Sequence, residues 1–398
     1  MTTFNPEAAT SAYIDGLGAD ALAKAADYTI GNHWLLLWGL LVSALVTWII
    51  IRSGLLDRLA GKLSARGFVV RTWIICAVFF LVSTILTLPW TLYTDHFRQH
   101  AYDLSSQPLG DFLMQGGISL VMSAIFGGLF FLGIYALIRK TGRRWWVWSG
   151  GLAAATILAL LLLGPVLIEP LFNEYKPLPD GEVKVALVAM AQEAGISEDR
   201  IFVYDGSRQS ENFTANVSGI GGSARIAISD VALTSASLDE VKAVTGHEIG
   251  HYVLGHIWRY VIIFPLLAIA LFFLADRLYP RFAKLFGSDA EISDPRGLPV
   301  LIFIVSLFSL LTQPITNAMT RIGEREADAY SLEHAKLPDA LASALLKTAE
   351  YRYARPHPAQ EMIFYTHPSV EKRVRNAMEW KAANMGSEEP SAETPDAP

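Results

Sequence analysis

Cysteine is nearly absent from this chain. Cys76 is the only one, and it sits inside an apolar run, which excludes an intrachain disulfide, a Cys-ligated zinc finger and an iron–sulfur cluster. Charge is scarce too: 18% of residues are charged, against about 25% in ordinary globular chains. The net charge of -6 and pI of about 5.9 give no global basic field, so nucleic acid is not an expected partner. Residues 1–33 lack a basic start, and the first apolar run is too long and has no small-residue cleavage site. No signal peptide is expected, and that run should be retained. No internal repeat is found.

What the chain has in excess is apolar sequence, 52% of 398 residues with a mean hydropathy of +0.34. It comes in blocks: Trp34–Ile51, Thr72–Thr94, Gly116–Ile138, Trp145–Ile168, Tyr260–Ala275 and Leu298–Ile315. A membrane-spanning helix needs roughly 20 such residues. Any one run could be a buried core helix, but a soluble domain of this size has no core for six. The chain is expected to be a mostly α, multi-pass integral membrane protein in contact with the lipid bilayer. The fifth run is the shortest and should continue a helix that begins upstream.

Loop charges give an orientation. Arg52, Arg58, Lys62, Arg66 and Arg71 lie between the first two spans, and Arg139, Lys140, Arg143 and Arg144 between the third and fourth. The positive-inside rule puts these loops in the cytoplasm, and both termini and residues 173–256 on the other face.

The expected organisation is a tail over 1–33, four spans in 34–172, a catalytic segment over 173–256, two spans in 257–316, catalytic helices over 317–381 and a disordered acidic tail over 382–398. In the polar segment, Lys176–Gly195 has helical spacing, Ile201–Tyr204 reads as a strand, and Phe213–Val217 with Ala224–Ile228 reads as a hairpin. Ser237–His256 is helical and opens on a capping box, Ser237 to Glu240. Residues 317–351 and Val370–Lys381 are predicted helical.

On the 237–256 helix stands His247-Glu248-Ile249-Gly250-His251. Residues four apart share a helix face. Both imidazoles can hold one Zn²⁺, with Glu248 beside them to accept a proton from the attacking water. A third histidine in metzincin register would fall at Ile257, so that class is disfavoured. His256, on a continuous helix, would lie about 140° from His251. A carboxylate from a second helix is the other option. Glu324 and Asp328 are four apart on one face, so Glu324 can ligate while Asp328 fixes a ligand histidine through its ring N–H. Glu326 is the rival ligand, about 160° from Asp328.

Further matching stretches are Asn317-xxx-Arg321-xx-Glu324-xx-Ala327-Asp328 and His367-Pro368-xxxx-Arg373. Leu88-Pro89-Trp90-xx-Tyr93 and Glu169-Pro170-x-Phe172-xxx-Lys176-Pro177 add to them. With these motifs, residues 34–380 resemble the type I CAAX prenyl proteases, integral-membrane zinc endopeptidases, and more distantly the HtpX-like membrane proteases.

The resemblance implies one zinc per chain on His247, His251 and Glu324, with Glu248 as general base and Asp328 and Asn317 supporting the ligands. It implies that His367 stabilises the oxyanion or positions substrate, and that Arg373 contacts substrate or braces the site. It also implies that the strand around Thr214, Ala215 and Asn216 pairs with an extended peptide. The implied fold is a ring of transmembrane helices around a chamber, with the zinc-metalloprotease domain and its small β-hairpin sheet at one end.

Two departures stand out. The chain offers six spans where eukaryotic members have seven, and its loop charges favour the face opposite to the family's cytosolic site. Three activities compete: cleavage after a prenylated cysteine, quality-control proteolysis of unmodified peptides, and a non-enzymatic transporter or chaperone that keeps a structural zinc. The implied partner in the first two is a peptide or protein substrate.

Overall fold

The computed structural model describes residues 4–350 and 352–384. In hydrocarbon a backbone must satisfy its own hydrogen bonds, so apolar runs become helices. Among the described residues, five helical runs are long and apolar enough to cross a membrane: Ala19–Arg52, Phe68–Ala101, Leu109–Leu171, His256–Phe286 and Pro295–Ala335. The expected third and fourth spans share one run. Within it α7 (Gly128–Thr141) and α8 (Trp145–Leu163) meet at a turn over Gly142–Arg144, and Gly133 packs on Leu152. Those two residues are nearly equidistant from the turn, so the run doubles back, and the six expected spans map onto five runs.

The remaining spanning helices are α2 (Ala19–Arg52), α4 (Phe68–Thr91), α12 (His256–Phe286) and α13 (Leu298–Ala335). The short α3 (Leu55–Lys62), α5 (Arg98–Ala101) and α6 (Leu109–Met122) join or extend them. Neighbour contacts close a ring, α2–α4–α7–α8–α12–α13 and back to α2. The ring is plugged at one end only. Val46 and Ile50, Ile75 and Phe79, Ile134 and Tyr135, Trp145, Phe272 and Tyr279, and Leu298–Ile304 form a single buried cluster. All lie at the helix ends nearest the arginine-rich loops. The apolar windows of the five runs are mostly uncovered by protein.

Residues 6–33 are not a tail. Helix α1 (Pro6–Asp15) is capped by Asn5, whose side chain accepts from the N–H groups of Glu7 and Ala8. Helix α2 already begins at Ala19. Ile14 is fully buried in a cluster with Leu341, Val374 and Met378, so the N-terminus docks on the catalytic side.

The catalytic elements are β1 (Tyr175–Pro177), α9 (Glu182–Glu193), β2 (Ile201–Tyr204), β3 (Ala215–Ser218), β4 (Arg225–Ser229), α10 (Asp230–Ser235) and α11 (Leu238–Val253). After α13 come α14 (Pro338–Lys347), α15 (Pro358–Phe364) and α16 (Val370–Asn384). The expected hairpin is the β3–β4 half of a four-stranded sheet ordered β1-β2-β4-β3, with β2 and β4 parallel and the other pairs antiparallel. The first residues of the expected Lys176–Gly195 helix go to β1, because Pro177 and Pro179 push the residues before them, Lys176 and Leu178, into extended backbone.

The last expected span and the helix expected from residue 317 are one helix, α13, which ends at Ala335 with two residues between it and the start of α14 at Pro338. Of the tail expected over 382–398, residues 382–384 belong to α16 and the rest lie outside the described residues.

Candidate active site

Helix α11 is the centre of the site. Ser237 accepts from the Glu240 N–H and Glu240 accepts from the Ser237 N–H, so the predicted capping box forms. Ser343 and Lys347 of α14 also donate to the Glu240 carboxylate, which fixes the start of the helix. Its far half crosses α13 closely at Gly250. A Cβ there would sit 3.0 Å from Tyr330 Cβ and 3.2 Å from Ala327 Cα. The glycine inside the HExxH motif therefore sets how near Glu324 comes to the histidines.

His247 Nε2 and His251 Nε2 lie 3.1 Å apart. Glu324 Oε2 is 3.3 Å from the first and Glu324 Oε1 3.4 Å from the second. A tetrahedral ion with bonds of about 2.0–2.1 Å separates its ligand atoms by about 3.3 Å. The three side chains therefore fit one small divalent metal, and Glu324 Oε2 is buried with no hydrogen-bond partner.

Asp328 Oδ1 lies 2.9 Å from His247 Nδ1, which puts the proton on Nδ1 and leaves Nε2 free to ligate. Burial alone would lower the His247 pKa, but the hydrogen bonds it donates to Asp328 and Glu324 outweigh that and lift the metal-free side chain to about 9. Arg373, buried, forks onto Asp328 through Nε and Nη2 at 2.7 and 2.6 Å. It braces the second carboxylate, and its guanidinium also reaches the adjoining cavity.

Glu248 lines that cavity, of about 140 Å³, with His247, Thr214, Ala215 and His367. Burial pushes its carboxyl above the ordinary 4.5. His367 Nε2 is 3.2 Å from Glu324 Oε2. Burial, then the charge of Arg352, carries the His367 pKa down to about 3. It is therefore neutral at neutral pH, with one ring N–H to donate. A second cavity, of about 640 Å³, opens on the other flank against Val217, Ile220, His251, Trp258 and Tyr260.

Strand β3 runs between the two cavities and is the outer strand of the sheet. Ser229 N–H donates to Thr214 C=O, so Asn216 and Ser218 face β4 in alternate register. The N–H and C=O groups of Ala215 and Val217 then point to the open edge. Thr214 lies just before the strand, where its hydroxyl pairs with Tyr204 at 2.6 Å. The Asn216 side chain is not on the cavity wall; its Oδ1 is buried without a partner.

One expectation fails. Asn317 does not support the metal ligands. It lies about two helical turns before Glu324 and donates to the Ile363 carbonyl at 2.8 Å, holding α15 against α13. One group was missed. Helix α11 stops at Val253, and Gly255 takes φ +65, in the left-handed region. The chain turns there, and His256 Nδ1 comes within 2.8 Å of His251 Nδ1. His256 Nε2 lies 2.9 Å from Glu326 Oε2, to which Arg259 donates at 2.6 Å. Glu326, the rival ligand, is thus the far end of a chain that supports His251. Gly255-His256 carries the signal: a glycine that ends the helix brings His256 back to His251.

The arrangement is that of a membrane metalloprotease: a ring of spanning helices carrying two helices that cross to bring HExxH against a glutamate. Residues 177–381 match peptidase family M48, and residues 6–174 match the CAAX prenyl protease N-terminal region of five membrane helices. The chain belongs to peptidase family M48. It is 27% identical over 372 residues to the uncharacterized metalloprotease YhfN of Bacillus subtilis, covering 89% of this chain and 85% of that protein. It is 28% identical over 314 residues to CAAX prenyl protease 1 of Saccharomyces cerevisiae, covering 74% and 69%. The crystal structure of S. mikatae Ste24p superposes with a TM-score of 0.76 at 22% identity, over 90% of this chain and 89% of that one.

Proposed function

We propose that the chain is a zinc endopeptidase of the CAAX prenyl protease type, removing C-terminal residues after a prenylated cysteine. The observation that carries the hydrolytic reading is the meeting of His247, His251 and Glu324 at 3.1–3.4 Å beside Glu248. When bound there, Zn²⁺ supplies a Lewis acid that polarises a carbonyl and brings the pKa of a water to about 7. Glu248 takes the proton of the attacking water and delivers it to the leaving amine; its raised pKa suits both transfers. Neutral His367 donates to the carbonyl oxygen as negative charge develops on it. Ala215 and Val217 hold the peptide extended along the open edge of β3. The larger cavity offers Val217, Ile220, Trp258 and Tyr260, an apolar surface suited to a prenyl chain.

A second reading, proteolysis of unmodified peptides, is favoured by that same edge, because backbone pairing is largely sequence-tolerant. The test is cleavage of one peptide in prenylated and unmodified forms, with and without chelator. Prenyl-dependent, chelator-sensitive cleavage is expected, and equal rates on both forms select the second reading. Glu248→Gln should keep its metal and lose cleavage. A variant as active as the parent would leave only a structural metal, as in a transporter or chaperone.

A further inference from the structure

We propose that the end of the bundle opposite the metal site binds a phospholipid headgroup, holding its phosphate on Arg66, Arg71 and Arg139. These arginines wall a cavity of about 610 Å³ between the start of α4, the end of α7 and the 289–296 segment. Helices α4 and α7 run antiparallel in contact, with Gly128 packed on Trp73 and Ala77. Arg71 immediately precedes the apolar run that starts at Thr72, and Arg139 immediately follows the one that ends at Ile138. Both guanidinium groups therefore lie at the level where hydrocarbon gives way to headgroups.

The charges on the two walls differ in kind. On the 289–296 side Arg296 is occupied, bonded to Asp294 and Asp57 at 2.8 Å and near Asp289 at 3.5 Å. On the other side, among the described residues, Arg66, Arg71 and Arg139 have no carboxylate within ion-pair distance. The Nε of half-buried Arg71 is shielded from solvent and has no hydrogen-bond partner. Arg139 stacks on the Phe68 ring at 4.2 Å, which fixes the plane and leaves its N–H edge free. Gly67 offers α4 no side-chain cap, so the first-turn N–H groups of α4 stand at the same end.

A phosphate matches this set, since arginine forks onto its oxygens with two parallel hydrogen bonds. The position of Arg71 and Arg139 at the ends of apolar runs, where hydrocarbon gives way to headgroups, favours a phosphate carried by a lipid over a free ion.

The test is native mass spectrometry of the full-length protein in detergent, titrated with dihexanoyl phosphatidylglycerol, dihexanoylglycerol or inorganic phosphate. Saturable binding of the phospholipid alone is expected, weakened at least tenfold in Arg71→Gln/Arg139→Gln and unchanged in Arg277→Gln, a basic residue outside the cavity. Equal binding of dihexanoylglycerol would overturn the phosphate contact. Equal competition by inorganic phosphate would overturn the lipid. If the double variant does not fold, Arg66→Gln, on the exposed rim, should still weaken binding several-fold. Full affinity in either folded variant would remove the site.

Discussion

His251 and His256 face each other through their Nδ1 atoms, so only one of them carries the proton between them. Glu326 decides which. Its carboxylate accepts from His256 Nε2–H, which leaves His256 Nδ1 as an acceptor and puts the shared proton on His251. The lone pair of His251 Nε2 is then aimed at Glu324 and His247. Asp328 does the same for His247. Supporting partners of this kind typically change metal affinity by about 10–100-fold. His256→Phe should therefore weaken zinc binding by that amount in a chelator competition, in protein of unchanged thermal stability. Unaltered affinity would mean that His256 only packs.

His247 adds a pH dependence. Its metal-free pKa of about 9 means that below that pH zinc must displace a proton from it. Affinity should rise about tenfold per pH unit toward 9 and flatten above. Asp328→Asn removes the main support of that proton and should move the plateau to lower pH. A flat profile from pH 7 to 9 in the parent would contradict the assignment. The grouping of His247, His251 and Glu324 with Asp328 is legible because residues four apart share a helix face. His256 is not, because its position depends on one glycine ending that helix. Asn317 shares a helix face with Glu324 but lies about 10 Å away along the axis, and a motif alone does not tell which of its polar members is near enough to the ligands; here Asn317 reaches the Ile363 carbonyl instead.

Among the elements, β3 carries the prediction that separates substrate pairing from mere packing. Proline is tolerated on a strand edge where its missing N–H faced outward. Val217 is such a position, since its partner groups on β4 belong to a non-bonded pair. Val217→Pro should keep the ladder to β4 and the metal, yet cut kcat/KM for peptide hydrolysis at least tenfold. Wild-type kinetics would leave β3 as packing for α11. The hairpin itself could be read from its alternation and its Gly219–Gly222 turn. Its place at the edge could not, because β1 and β2 add to the β4 side through pairings far apart in sequence. The fusion of the last span with the Glu324 helix was hidden for a related reason. Hydropathy falls after Ile315 while helical geometry continues to Ala335.

At the scale of the whole chain, one end of the ring is sealed by packed aromatic and branched side chains, and the other opens on the catalytic elements. The hydropathy runs were enough to expect a ring of spans, since nothing soluble could bury them. They did not separate a loop from a sharp turn, which is why six runs fold as five continuous helical stretches. The sealed end carries Arg52, Arg71, Arg139 and Lys140, and α13 carries Glu324 to the other end. From the positive-inside rule we propose that the candidate metal site faces away from the cytoplasm. Cys76 is fully buried, so the chain offers a silent background for labelling. Ser64 and Ser197 are exposed at opposite ends. In intact cells an impermeant maleimide should label Ser197→Cys directly and Ser64→Cys only after the membrane is opened. The reverse pattern would put the site in the cytosol, and the choice of substrate would then rest on cytosolic peptides rather than on those beyond the membrane.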